Sequence, residues 1–322
     1  MNRTVFPAVL VVLVNALTLG QGNAGQCVGE HYKVIALPFR PSHINDSGQV
    51  AGTTPRKRAA LWSEATGLRE VELPAGFVNA EGISINRTGD LVGVAMNADS
   101  SQRQAFMYRD GQLVLLPGGQ SKPFAINDRD EIVGESIFAN KGAGGPVLWQ
   151  KGTPIDLGAC CGGTATGVNN QGQVVGDVYD QQGRYHPFLW DSTHGMRRVG
   201  TGGEFSSSVA INDASHIVIE SFPHIFLYKD GKLTQLELSA KYPSHAKAIN
   251  NCDAIVGAVG PFSDAYRAFV WDKTHGFRDL NTLIADPGWK LEMATSINNR
   301  GEIVGYGDHA GSEDAGFLLV PQ

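Results

Sequence analysis

Side chains that can move protons are bunched in a few stretches of this 322-residue chain. Asp177, Tyr179, Asp180, Arg184, Tyr185 and His186 fall within ten positions; Asp264, Tyr266 and Arg267 form a second group, and Asp308 and His309 a third. Carboxylates paired with an imidazole or a phenol serve general acid–base chemistry. Trp289, close to Asp286, offers an aromatic surface for a sugar or a protein side chain. Ser244-His245-Ala246-Lys247 has the spacing of a Ser-x-x-Lys nucleophile pair, but that pair needs a helix, and this segment leads directly into Ile249-Asn250 as a strand. The sequence has no H-E-x-x-H, no Gly-Lys-Ser/Thr phosphate loop and no G-x-S-x-G. No catalytic residue, metal ligand set or cofactor is assigned from it.

What positions these groups is a repeat. A tract of Ile-Asn or Val-Asn, a turn and Val-Val-Gly-like residues occurs seven times. The first two copies read Ile44-Asn45-Asp46-Ser47-Gly48-Gln49-Val50-Ala51-Gly52 and Ile85-Asn86-Arg87-Thr88-Gly89-Asp90-Leu91-Val92-Gly93. The others open at Ile126-Asn127, Val168-Asn169, Ile211-Asn212, Ile249-Asn250 and Ile297-Asn298. Successive asparagines are 41, 41, 42, 43, 38 and 48 residues apart, a spacing in the range of four-stranded propeller blades. An apolar strand follows every copy, as in Ala60-Leu61-Trp62, Ala105-Phe106-Met107-Tyr108 and Ala268-Phe269-Val270-Trp271. In the first six a Gly turn and a further strand come next, as in Leu68–Leu73. Four of the five tryptophans take the same position in this strand, so they belong to the frame.

The signature itself carries backbone chemistry. Asn at the first turn position bonds its own backbone, and Gly three residues later accepts positive φ. Copies three and six place Asp130 and Asp253 there, and copy five Ser215, with Ile219 replacing its strand glycine. Asn45-Asp46-Ser47 and Asn86-Arg87-Thr88 match glycosylation sequons, but their place in the repeat already accounts for them.

Seven signatures are followed by only six outer strands, and the chain stops just past Phe317-Leu318-Leu319. A spare strand lies at the other end, where Tyr32-Lys33-Val34-Ile35-Ala36-Leu37-Pro38 resembles Glu70-Val71-Glu72-Leu73-Pro74. The expected fold is therefore all-β, a seven-bladed β-propeller of residues 27–322 closed by an N-terminal strand that completes the last blade. A second phase, with residues 32–37 opening blade one and no closure, also fits the sequence.

The pattern A-x-x-I-N-x-x-G-x-V-V-G followed by A-F-L-W-x-x-x-G resembles the HAF family of extracellular repeat proteins, over about residues 32–319. The resemblance implies a secreted bacterial protein with a propeller-like fold. It brings no activity and no catalytic residues.

Residues 1–24 have the three parts of a secretory signal peptide: Arg3, an apolar run from Val5 to Gly20, and small residues before a cleavage site at Ala24. No second apolar stretch approaches the length of a membrane span. The formal charge of −6, with Lys and Arg scattered, argues against nucleic acid as a partner. Four cysteines in an exported chain suggest disulfides. Cys27 and Cys252 fall at the same end of their blades and are expected to pair; adjacent Cys160 and Cys161 fall at the other end, as a strained disulfide or two thiols.

Antiparallel strands put the Asn and Gly turns on one uniform face. Variable loops on the opposite face hold the three polar groups and Trp289, and such loops are where function concentrates. The function expected is a monomeric binding scaffold, recognising an extracellular or envelope protein or glycan. The alternative is an extracellular hydrolase or lyase using the loop Asp, His and Tyr residues. Convergence of those residues on an axial pocket would separate the two.

Overall fold

The computed structural model describes residues 27–137, 144–200, 206–238, 242–261 and 266–322. Residues 1–24, expected to be a signal peptide, and Asp264 lie outside the described residues. The rest forms seven four-stranded antiparallel sheets and a single short 3-10 turn at Leu280–Thr282. Six blades are built in chain order from the axis outward. Blade one, for example, runs Arg40–Ile44, Val50–Thr53, Ala59–Ser63 and Gly67–Glu70. The innermost strand of each blade is the one that ends at the signature asparagine. In the seventh blade, Trp289–Ile297, Ile303–His309 and Ser312–Pro321 are completed by the N-terminal strand Tyr32–Leu37, antiparallel to Ser312–Pro321 with Tyr32 opposite Pro321 and Leu37 opposite Gly316. The closure is as the sequence predicts, and the phase without it is excluded.

Seven apolar clusters fill the seven interfaces between neighbouring blades. The Val-Val tract serves two at once, because successive strand residues point to opposite faces. Ile132 packs toward blade two and Val133 toward blade four; Val174 and Val175 divide likewise. A sheet covered on both sides needs near-continuous apolar strands, which is the pattern in the sequence. In the six copies that have it, the glycine ending the tract fits where a side chain would clash, whereas blade five holds Ile219 there. A Cβ on Gly134 would strike the carbonyl of Lys122, and on Gly257 that of His245, because a bulge in every innermost strand pushes its backbone toward this point.

The asparagine turns join the blades. Asn169 Oδ1 accepts from the N–H groups of Gln171 (3.1 Å) and Gln173 (3.0 Å), which shapes the turn, while its Nδ2 donates to the Asn212 carbonyl of the next blade (3.1 Å). The same inter-blade bond runs from Asn45, Asn127, Asn212, Asn250 and Asn298, the last closing onto Asn45 at 3.0 Å. Only Asn86 departs, donating to Asp90 and Asp130 instead. A second ring lies outside the first. In six of the seven copies the side chain one residue after the asparagine accepts the equivalent N–H of the preceding blade, from Arg87 to Asp128 through to Asn299 and Asp46, the seventh position being Arg87, which cannot accept. Asp130, Ser215 and Asp253 hold φ of 61, 65 and 64° where the other copies have glycine. The two aspartates put that position to use. Asp130 reaches back to Arg109, and Asp253 to His216 and Lys229. Asn45 and Asn86 are buried and fully engaged, so neither sequon presents its amide to a glycan.

The disulfide pairs Cys27 with Cys252, Cα atoms 6.0 Å apart, as their shared end of the ring suggests. It pins the segment leading into the closing strand, which is also held by the bond from Asn250 Nδ2 to the Cys27 carbonyl (3.2 Å) and by the 2.9 Å contact of Arg278 with the Gly29 carbonyl. Among the described residues, no helix is long and apolar enough to cross a membrane.

Candidate functional site

The variable face gathers the loops that join blades, together with the loops between second and third strands. Blade four carries the richest of them. Its second strand continues to Tyr179 and its third starts at Tyr185, so the expected polar loop shrinks to a tight connection. Asp180 organises it, accepting from the Gln182 and Arg184 N–H groups (2.9 and 3.0 Å) and from Arg184 Nε at 2.7 Å. His186 Nε2 lies 2.9 Å from the same carboxylate. The imidazole contact and these bonds hold the Asp180 carboxyl far below the usual range. The Tyr179 and Tyr185 rings meet edge to face at 4.7 Å, and burial pushes the Tyr179 hydroxyl up to about 12.

Asp177 sits within the strand rather than on a loop, and it is buried at 7% exposure. It crosses to blade five, accepting from Ser207 Oγ (2.6 Å) and Ser208 N (2.8 Å). Desolvation outweighs those two bonds and raises its carboxyl to about 6.

The other groups lie elsewhere on the same face. His309 stacks on Trp289 with ring centroids 4.2 Å apart, and Trp289 meets Phe317 edge to face. Trp289 is 7% exposed and belongs to the core between blades six and seven. The sequence suggests a loop here, but the innermost strand of blade seven is nine residues long and starts at Trp289. Asp308 faces Lys290 at 3.7 Å. On blade six, Arg267 pairs with Asp279 (2.9 Å), and Tyr266 meets the His245 ring edge to face. Asp177 and His186 thus lie on blade four and Asp308 and His309 on blade seven, each engaged with its own neighbours. They do not converge. Among the described residues, no group of three or more His, Cys, Asp and Glu side chains gathers as a metal site.

A cavity of about 890 Å³ instead follows the axis, lined by the seven innermost strands. Each of these strands is bulged three residues before its asparagine. Bulges re-aim side chains, and the seven at this position line the channel as one layer: Ser42, Ile83 and Phe124, then Thr166, Val209, Lys247 and Thr295. Nearer the variable face, Lys122 pairs with Glu81 at 3.2 Å and the Arg40 guanidinium lies 3.7 Å from the Tyr306 ring centroid. At the uniform mouth stand Asp46, Asp128 and Asp213 with Arg87. His43 also lines the wall, its imidazole lowered to about 4 by desolvation. Apart from Lys247, noted in the sequence only within a Ser-x-x-Lys spacing, none of these residues stands out from sequence alone. A signal was nonetheless present: the position three before the asparagine is apolar in some copies, a hydroxyl in others and a lysine in one. Ser244-His245-Ala246-Lys247 is strand, as expected, but its lysine reaches the axis.

Cys160, next to Cys161 in the chain, lines a second, shallower cavity of about 500 Å³ with Tyr179, Asp180, Arg184 and Arg198. Their sulfurs lie 2.7 Å apart, and the hydrogen bond with Cys160 raises the Cys161 thiol above its ordinary value. The two are free cysteines here.

No protein-family model matches the chain, and no curated protein matches it. Solved structures do. Virginiamycin B lyase from Staphylococcus aureus superposes with a TM-score of 0.60 at 9% identity, covering 90% of this chain and 100% of that one. The β-propeller domain of the Trilobed protease from Pyrococcus furiosus gives 0.61 at 7% identity, covering 89% and 96%. A puromycin hydrolase gives 0.55 at 15% identity, covering 86% of this chain and 52% of the hydrolase. At such identities the likeness concerns the fold alone.

Proposed function

We propose that the protein is an exported binding propeller whose variable face recognises an envelope or extracellular protein or glycan. The observation that carries this reading is the dispersal of the acid–base candidates. General acid–base chemistry needs its groups within hydrogen-bond reach of one reacting atom, whereas Asp177 is bonded to Ser207 of blade five, His186 contacts Asp180 within blade four, and Asp308 faces Lys290 within blade seven. What the face offers is a rigid rim of polar and aromatic side chains around an axial opening, the form of a recognition surface. The disulfide and the signal-like residues 1–24 support export, and the repeat resembles that of the HAF family of extracellular proteins. The solved neighbours include a lyase and a hydrolase, but a shared propeller transfers no chemistry.

The test is biolayer interferometry of the chain lacking residues 1–24 against peptidoglycan fragments, lipopolysaccharide and purified polysaccharides. Arg184→Ala combined with Tyr185→Ala should weaken capture of the bound component at least tenfold, and His194→Ala with Lys273→Ala on the uniform face should leave it unchanged. Release of a cleaved product from the captured component would replace the binding reading with the hydrolase or lyase one.

A further inference from the structure

We infer that the axial channel is a binding site for a small organic anion with an apolar body, anchored by Lys247. The inference rests on the binding reading above and names a ligand class for the axis of the same propeller.

Lys247 is the one cation in the bulged layer of the channel, and its side chain is exposed to the cavity. Among the described residues no carboxylate pairs with it. Of the other channel cations, Lys122 pairs with Glu81, Arg40 lies against the Tyr306 ring and Asp314 at 3.5 Å, and Arg87 stands away from this layer among the aspartates of the uniform mouth. The hydroxyls of the layer do not compete for an anion. Ser42, Thr166 and Thr295 each spend a proton on a carbonyl of the neighbouring blade, at 2.8, 2.7 and 3.3 Å. They present lone pairs to the channel, so Lys247 is the donor available to a carboxylate at this depth.

The ring supplies the other half of the ligand. In a seven-membered ring, blade six stands opposite the junction of blades two and three, and those two blades bring Ile83 and Phe124 into the same layer. A ligand reaching across the channel from Lys247 therefore lays its far end on apolar surface. A cavity of about 890 Å³ accommodates such a molecule. The ends of the channel also differ. Asp46, Asp128 and Asp213 stand against Arg87 at the uniform mouth, which opposes passage of an anion, so entry is from the variable face.

Isothermal titration calorimetry with straight-chain alkyl and phenylalkyl carboxylates, from acetate to laurate, tests this, with the alcohol of matching chain as the neutral control. At least one carboxylate should bind about tenfold tighter than its alcohol, a difference of about 1.4 kcal/mol. Lys247→Gln should abolish that preference and Lys247→Arg retain it, with melting temperatures unchanged because the side chain is exposed. Phe124→Asn should weaken the longer carboxylates more than acetate. Equal binding of acid and alcohol throughout the series, or a Lys247→Gln protein that still prefers the acid, would overturn the assignment. Capture of an envelope component that depends on Arg184 and Tyr185 does not require Lys247, so either claim can fail while the other stands.

Discussion

Asp177 shows how far a side chain's chemistry depends on where its strand ends. In sequence it opens a polar stretch; in the fold it is a buried carboxylate spanning two blades. Its raised pKa has a defined consequence for stability. The native state holds the proton more tightly than the unfolded chain, so the stabilisation present below about pH 4 is lost as pH rises to about 6. Between an ordinary aspartate and one titrating at about 6, the difference is on the order of 3 kcal/mol. Asp177→Asn keeps an acceptor for Ser208 N–H and removes the titration. Subtracting the unfolding free energy of this variant from that of the natural protein, measured in urea at a series of pH values, should leave a difference that falls between pH 4 and pH 6 and is flat above. A difference independent of pH would show that Asp177 is not titrating there. Lys247 escapes a sequence reading for a related reason: a bulge, which has no simple sequence mark, is what directs its position toward the axis.

At the level of the element, the asparagine turn and the strand glycine were fully legible, because seven copies expose which identities are held. Their reasons were legible only in part. Positive φ and the local Asx bonds follow from residue type, but the bond to the next blade's carbonyl needs the ring. Two substitutions separate these roles. Asn169→Asp keeps the acceptors for the Gln171 and Gln173 N–H groups and loses the donation to Asn212, so it should cost about 1–2 kcal/mol; Asn169→Ala loses both and should cost about 2–4 kcal/mol by chemical denaturation. No cost for Asn169→Asp would mean that the inter-blade bond contributes nothing, and equal costs for the two variants that the local acceptor bonds contribute nothing. Gly134→Ala tests the second element. The new methyl meets the Lys122 carbonyl, which belongs to a bulged strand packed on both sides, so a loss of at least about 2 kcal/mol is expected. The length of the strands in blades four and seven was not legible. Polar residues at Asp177, Tyr179 and His309 resemble loop, and only pairing with their partner strands shows otherwise.

For the whole molecule, the closure was readable from a strand count, and the disulfide from the end of the blade on which each cysteine falls. Both hold the same segment. Deleting residues 25–40 should abolish the cooperative thermal transition, since blade seven then has an open edge and blade one loses Phe39 from its core. Reducing Cys27–Cys252 should lower stability by about 2–4 kcal/mol, the usual range for a disulfide; this one spans 225 residues. What the sequence could not supply was the axis, because a channel belongs to seven segments at once and to no single motif.

The central claim is that the uniform face is structural and the variable face recognises a partner. Placing the photo-crosslinker p-benzoylphenylalanine at position 185 in one chain and at position 194 in another, in cells expressing the full sequence, tests it most directly. Tyr185 is 38% exposed on the variable face, and the His194 side chain is 67% exposed on the uniform one. The account predicts a discrete adduct from position 185 that Arg184→Ala diminishes, and none from position 194. An adduct from position 194 alone would contradict it.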